Sequence, residues 1–417
     1  MSRKKNFYQR IQHRLGWRIE QRVGIHRILL FFCFLAFISL GLPDGLLGVA
    51  WPSISRSFGV PLSRLAVLQV AMTIGFVFSS GNAGRLVESL GVGNLLILSN
   101  VLVVGALTGY VLASHWYVLI ASTVVLGSAG GAIDAGLNAY TAKRFTKEQV
   151  TLLHAFFGFG AMLGPALMGR VLSVGQAWQR GYLYTLLLVL CLLSIFILFR
   201  GLWKKDTPHS DADTKAEHAD APAKCAKWMV RKYTLVGIAL FLLYTGLEIT
   251  VGGWSFTLLT AGRGIANGIA AVWVGAFWAG LMGGRIFFGL FGLRWHARSI
   301  VTAMLATLFA GVTLFAQPWI PWLFLPALPL VGFACAPLFP LFVTLTSSVV
   351  GREAASRTIG MQVASAGLGG AVVPFLVALS VEALSLEAVG GFVMLLSLLV
   401  AAIYRIWITP ARNYHPI

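Results

Sequence analysis

Twelve stretches of twenty or more residues, almost free of charge, follow one another along this chain. They run near 28–52, 62–86, 92–113, 116–141, 150–174 and 180–202, then 233–260, 266–291, 297–316, 320–347, 356–380 and 388–409. At about 1.5 Å per residue, each is long enough to cross a hydrocarbon layer of about 30 Å as an α-helix. In lipid every backbone N–H and C=O must be satisfied internally, and a helix does that within one segment. The expectation is an all-α membrane protein of twelve transmembrane helices. With 58% of its residues hydrophobic and 11% charged, the chain has no composition for a soluble alternative.

The one long polar stretch, 203–232, is rich in Asp, Lys, His, Ala and Pro and divides the spans six and six. The expected order is a basic segment (1–27), a six-helix bundle (28–202), a linker (203–232), a second six-helix bundle (233–409) and a short tail (410–417). In this layout 27 of the 32 Lys and Arg fall on the side of the termini. Only Arg56, Arg64, Arg170, Arg180 and Arg263 fall on the other, so both termini are expected in the cytoplasm. The formal charge of +18 is therefore topogenic, and no nucleic-acid partner is expected. The basic segment carries Leu15, Trp17, Ile19 and Val23 among its charges, which suits a helix on the inner leaflet as well as a plain topogenic tail. The run from Ile28 is long and no small-residue cleavage site follows it, so it is expected to remain as the first span. Four cysteines without metal or redox spacing imply no metal site and no structural disulfide.

The two halves echo each other. Gly75 and Gly84-Arg85 recur as Gly275 and Gly284-Arg285, and GLPDGLLGVAW (from Gly41) is answered by GLEITVGGW (from Gly246). Gly158-Phe-Gly160 with Pro165 recurs as Gly367-Leu-Gly369 with Pro374. Six spans, a linker and six more in the same orientation make a parallel repeat about an axis along the membrane normal.

These features resemble the major facilitator superfamily along nearly the whole chain. GGAIDAGLNAY in the fourth span, LLHAFFGFGAMLGP in the fifth, YTGLEITVGGW in the seventh and PLVGFACAPLFPLFVTL in the tenth are similar to its fucose permease and glucose-transporter-like branch of sugar–proton symporters. The resemblance implies the major-facilitator fold, and it implies that Asp44 and Asp134 serve substrate and proton binding. The loop after the second span is similar to the superfamily's G-x-L-A-D-R-x-G-R-R signature, with Gly84, Leu86, Glu88 and Gly91 in place and Ser89, Val92 and Gly93 at basic positions. That departure puts the usual latch in doubt, leaving Arg85, Glu88 and Arg285 as candidate conformational residues.

Of the 14 acids only Asp44, Asp134 and Glu248 fall well inside spans, and intramembrane acids default to function. No Lys or Arg lies deep in a span by this reading, so these acids are expected to lack a permanent counter-charge and to be able to carry a proton. Asn138 shares a helix face with Asp134, four residues away, and suits a solute hydroxyl. His154, near the start of the fifth span, suits a proton relay or a substrate contact, against the blander roles of helix cap or carbonyl partner. Trp254 is the tryptophan expected to stack on a sugar ring. The glycines from Gly158 to Gly164 loosely match a dinucleotide fingerprint but follow no strand, so close helix packing is the expected reason for them.

With no Gly-Lys dipeptide, no H-E-x-x-H and no G-x-S-x-G, no enzyme motif is present and no cofactor is expected. The reading is a monomeric secondary transporter of the plasma membrane, bacterial inner membrane by preference, lodged in the lipid bilayer. It would take up a sugar or similar small polar solute with a proton, though carboxylates and carbonyls also suit sodium. The alternative is proton-driven efflux of amphiphilic compounds, since Gly160-x-x-x-Gly164-Pro165 with Gly169 partly matches the antiporter signature of drug exporters, with Met168 at a glycine position. A non-transporting membrane sensor is the third reading.

Overall fold

The structure, a computed structural model, describes residues 2–204, 227–292 and 295–409. Among them the chain forms fourteen α-helices, and twelve segments are long and apolar enough to cross a membrane. The first half holds α1 (Ser2–Phe58), α2 (Leu65–Leu90), α3 (Val92–Leu112), α4 (Trp116–Arg144), α5 (Lys147–Ser173), α6 (Gln179–Leu198) and the short α7 (Arg200–Lys204). The second holds α8 (Lys227–Thr257), α9 (Asn267–Phe291), α10 (Ala297–Ala316), α11 (Pro321–Cys335), α12 (Leu338–Val350), α13 (Arg352–Ala383) and α14 (Ala388–Trp407). Residues 205–226 of the expected linker and the tail 410–417 lie outside the described residues.

Three details differ from the sequence expectation. α1 runs from Ser2 through its span, which begins at His26, without a break. No proline precedes Pro43, so nothing in the basic segment ends the helix. α8 begins at Lys227, inside the expected linker, because KWMVRK holds no breaker. The tenth span is two helices, α11 and α12, parted at Ala336 and Pro337.

Within the halves the same packing recurs. α5 lies on α1 as α13 lies on α8. A Cβ on Gly164 would lie 2.9 Å from the Leu42 carbonyl oxygen, and one on Gly369 would strike the Leu242 carbonyl. The glycine string of α5 is thus a helix-packing device. The halves meet through α5 on α9, α2 on α13 and α1 on α8.

Arg263, after a π-helical turn at Leu258–Gly262, ties one end of the second half together. Its side chain is 3% exposed and holds Glu387 through Nε at 2.9 Å and Nη2 at 2.7 Å. It also donates to the Phe315 and Ala316 carbonyls that end α10, at 2.9 and 3.2 Å, and lies over the Phe324 ring. Arg263→Met should cost about 2 kcal/mol, below a fully buried pair because water still reaches Glu387. Thermal unfolding in detergent checks this. Arg263→Lys should recover little, since an ammonium cannot span carboxylate and two carbonyls together.

Candidate functional site

Asp44 stands near the middle of the first span (His26–Phe58) of α1, exposed, while its neighbours from Gly41 to Ala50 are all buried. An exposed side chain on a helix enclosed by others opens on an interior space. With Ser39, Pro43, Met72, Val103 and Gly127 it borders a cavity of about 30 Å³ between α1, α2, α3 and α4, which is room for a water molecule. Small residues bring α4 that close: a Cβ on Gly127 would strike the Met72 carbonyl, and one on Gly131 that of Phe76. Further along α4, half-buried Asp134 accepts a hydrogen bond from Asn138 Nδ2 at 3.0 Å, the contact that an i,i+4 spacing allows. The Asp44 and Asp134 carboxyls lie near enough for their charges to interact.

The second half brings its own acid under the same cation that acts on Asp134. Glu248 is half-buried on α8, and Tyr244, one turn earlier, places its Oη 2.7 Å from Glu248 Oε2 and 2.7 Å from the Cys335 carbonyl oxygen. Arg285 reaches in from α9. Its Nη1 donates to the His154 carbonyl of α5 at 3.2 Å, a bond between the halves. Its charge also acts on both Asp134 and Glu248. For Asp134 and Glu248 this overturns the expectation that the acids lack a fixed counter-charge. Arg285 falls six residues before the end of α9, and the crossing of α9 over α5 turns an end-of-span cation inward.

The remaining candidates separate. The His154 ring is half-buried, edge-on to Phe37 at 5.3 Å. It caps nothing, because Thr146 and Gln149 close the α5 N-terminus with a reciprocal capping box. Trp254, on α8 as the sequence motif put it, is 0% exposed within the apolar core, so in this structure its ring offers no face to a solute. Arg85 and Glu88 are exposed and make no hydrogen bond or ion pair among the described residues. Gly91 alone joins α2 to α3, with φ 73°. Tyr244 escaped the sequence reading, although its i,i+4 spacing from Glu248 was the available signal.

The space has one closed end. Beyond Asp44, a Cβ on Gly48 would lie 2.9 Å from the Gly253 carbonyl oxygen, so α1 and α8 touch backbone to backbone at the end away from the termini. At the end that bears the termini, Gly81 and Gly84 of α2 and Gly360 of α13 have nothing within 4 Å where a side chain would stand. Gly48→Val should therefore prevent this closure and favour the opposite opening. Thiol labelling of cysteines placed at both ends would show it; unchanged labelling would mean that the contact is not a gate.

Comparison with known proteins follows the same lines. The family profile of the Major Facilitator Superfamily matches residues 29–325. The glucose/mannose transporter GlcP of Bacillus subtilis is 22% identical over 84% of this chain and 87% of its own length. The sodium-dependent glucose transporter 1A of Mus musculus is 24% identical over 78% and 84%, and the bypass of stop codon protein 6 of Saccharomyces cerevisiae is 24% identical over 85% and 77%. Among solved structures, the nucleoside transporter NupG superposes with a TM-score of 0.68 at 13% identity over 90% of this chain and 98% of its own. FucP in its outward conformation gives 0.61 at 14% identity over 92% and 99%. FucP is described as the fucose:proton symporter of E. coli.

Proposed function

The chain belongs to the major facilitator superfamily and is an integral, multi-pass membrane transporter, and we propose that it moves a sugar or similar small polar solute together with a proton by alternating access. The observation that carries this reading is that one guanidinium, Arg285, acts on an acid of each half, Asp134 and Glu248, while Asp44 interacts with Asp134. Three carboxyls against one guanidinium disfavour an anionic solute and suit vicinal hydroxyls, each of which donates to a carboxylate. Asn138 adds an amide that both donates and accepts. The relatives named for glucose, mannose and fucose support the solute class.

Asp44 and Asp134 are the proposed coupling acids. A carboxylate at the centre of a membrane costs about 3 kcal/mol on insertion scales, and protonation removes that charge. A proton loaded from one side and released to the other is thus an inexpensive way to change which state is favoured. The excess of Lys and Arg on the terminus side supports a cytoplasmic position for that side, and with that orientation the state closed at Gly48 is the inward-facing one. The cell's plasma membrane is the proposed setting.

Proteoliposomes with an internal pH dye test the reading. Glucose, mannose, fucose and neutral analogues are added without sodium and then with it. A solute-evoked proton influx without sodium supports the proposal. Solute uptake that needs sodium and moves no proton overturns the coupling, and proton movement evoked only by cationic amphiphiles overturns the solute class.

A further inference from the structure

Tyr244 meets the tenth span where that span is broken. α11 ends at Cys335 and α12 starts at Leu338, so the carbonyls at the junction have left one helical ladder without joining the next. Pro337 and Pro340 supply no N–H and so withhold the usual donors from the Phe333 and Ala336 carbonyls. The Ala336 N–H is shared between Gly332 at 3.2 Å and Phe333 at 3.3 Å. The Cys335 carbonyl oxygen has the Tyr244 phenol oxygen at 2.7 Å, and that phenol oxygen also lies 2.7 Å from Glu248 Oε2. A phenol has one proton and cannot donate fully to two acceptors at that distance.

Both contacts are satisfied together when Glu248 is protonated. Its carboxyl O–H then donates to Tyr244 Oη, and the phenol O–H donates to the Cys335 carbonyl. With Glu248 ionised, carboxylate and carbonyl compete for one phenolic proton. A bond to a charged acceptor is roughly twice as strong as a neutral one, so the carboxylate takes it.

We propose that Tyr244 is a positioning residue that links proton occupancy of Glu248 to the break in the tenth span: a proton added to the carboxylate turns the phenol to Cys335 and holds the break, and its loss turns the phenol back and releases it. The proposal rests on the proton-coupled reading above and extends proton exchange from Asp44 and Asp134 to Glu248. Arg285 on α9 and Cys335 on α11 face Glu248, with Tyr244 on its own helix. On the other helices against α8, Asp44 of α1 faces Asp134, while Glu353 and Arg357 of α13 line a separate cavity with Arg231 at the terminus-bearing end. Glu382 sits at the opposite end of α13, and α12 carries no titratable side chain.

The Cys335 thiol, 1% exposed at the break, is a native reporter. With Cys33, Cys191 and Cys225 replaced by Ser, its labelling by a membrane-permeant maleimide is followed from acid to alkaline pH in liposomes without solute. Each rate is expressed per thiolate, with the thiolate fraction read from its ultraviolet absorbance in each protein because the Glu248 charge acts on the thiol, and is divided by that of Glu248→Gln, whose amide donates to Tyr244 at every pH. The ratio should be near one at acid pH and rise about fivefold at alkaline pH, the factor that one net hydrogen bond carries. In Tyr244→Phe the ratio should be raised and flat. A flat ratio in the parent, or a Tyr244→Phe profile that follows the parent, overturns the proposal. If Tyr244→Phe does not fold, infrared difference spectra of the parent on a pH change decide between the same outcomes. A Glu248 carboxyl band accompanied by a tyrosine C–O band supports the switch, and a carboxyl band alone overturns it. No solute enters these measurements, so failure of the sugar or the coupling reading in the flux assay is distinguishable from failure here.

Discussion

Asp134→Asn should abolish solute-driven proton movement and uphill accumulation while leaving solute-for-solute exchange within a few-fold of the parent. The side chain keeps its size, and its amide oxygen still accepts from Asn138, so the contact now 3.0 Å long survives. What disappears is the ability to lose a proton. A permanently neutral group mimics the loaded carrier, which can shuttle with solute but cannot return empty in a charged form that favours one opening. Accumulation should fall by roughly 100-fold, at the upper end of coupling free energies between linked sites. Asp44→Asn is the internal comparison. Asp44 borders the small cavity inside the first bundle, whereas Asp134 lies under the charge of Arg285. Asp44→Asn should therefore weaken coupling less. Equal loss in both variants would mean that the two carboxyls share a single proton. Exchange lost together with accumulation in Asp134→Asn, in a protein that still folds, would make Asp134 a solute ligand and move the coupling elsewhere.

Legibility of this molecule in its sequence followed the range of the interactions involved. The twelve spans depend on local hydropathy, so they were readable. The glycines of α5 were readable as packing residues because a dinucleotide loop needs a strand before it and lipid-length sequence forbids one. The break in the tenth span was less so. Pro326 and Pro329 lie inside α11 without ending it, while the helix parts before Pro337, so prolines alone did not say which of them would break the ladder. The repeat misled in one place. Gly84-Arg85 and Gly284-Arg285 match as sequence, yet Gly84 has open space around it and Gly284 is tight against Phe333 and Ala336. Arg85 is left exposed, while Arg285 crosses to the other half. The difference comes from which helix each crosses, and no local pattern holds that. Trp254 was placed by its proximity to Glu248 along the chain, whereas its burial in the core depends on the packing around α8, which no local pattern holds.

That crossing makes Arg285 the position where one substitution should do most. Arg285→Gln removes the only cation that acts on both Asp134 and Glu248 among the described residues, and it removes a donor from the His154 carbonyl. Leaving two acids without compensation is worse than never having had the cation, because a buried charge that has lost its partner keeps its desolvation penalty. Coupled transport should fall by about 100-fold, again at the limit that linked sites reach. Arg285→Lys should recover only part, since a single ammonium cannot hold a carbonyl on α5 and stay near acids on α4 and α8 together. Adding Glu248→Gln to Arg285→Gln tells the two roles apart. If the cation serves chiefly to balance charge, the double variant should regain solute exchange relative to the single one, with a non-additivity of about 1–3 kcal/mol. If the bond to His154 is what matters, the double variant should be as inactive as the single. A cation that balances acids on both halves must be shared between them as the halves rock, and rescue by neutralising only one acid is what that sharing requires.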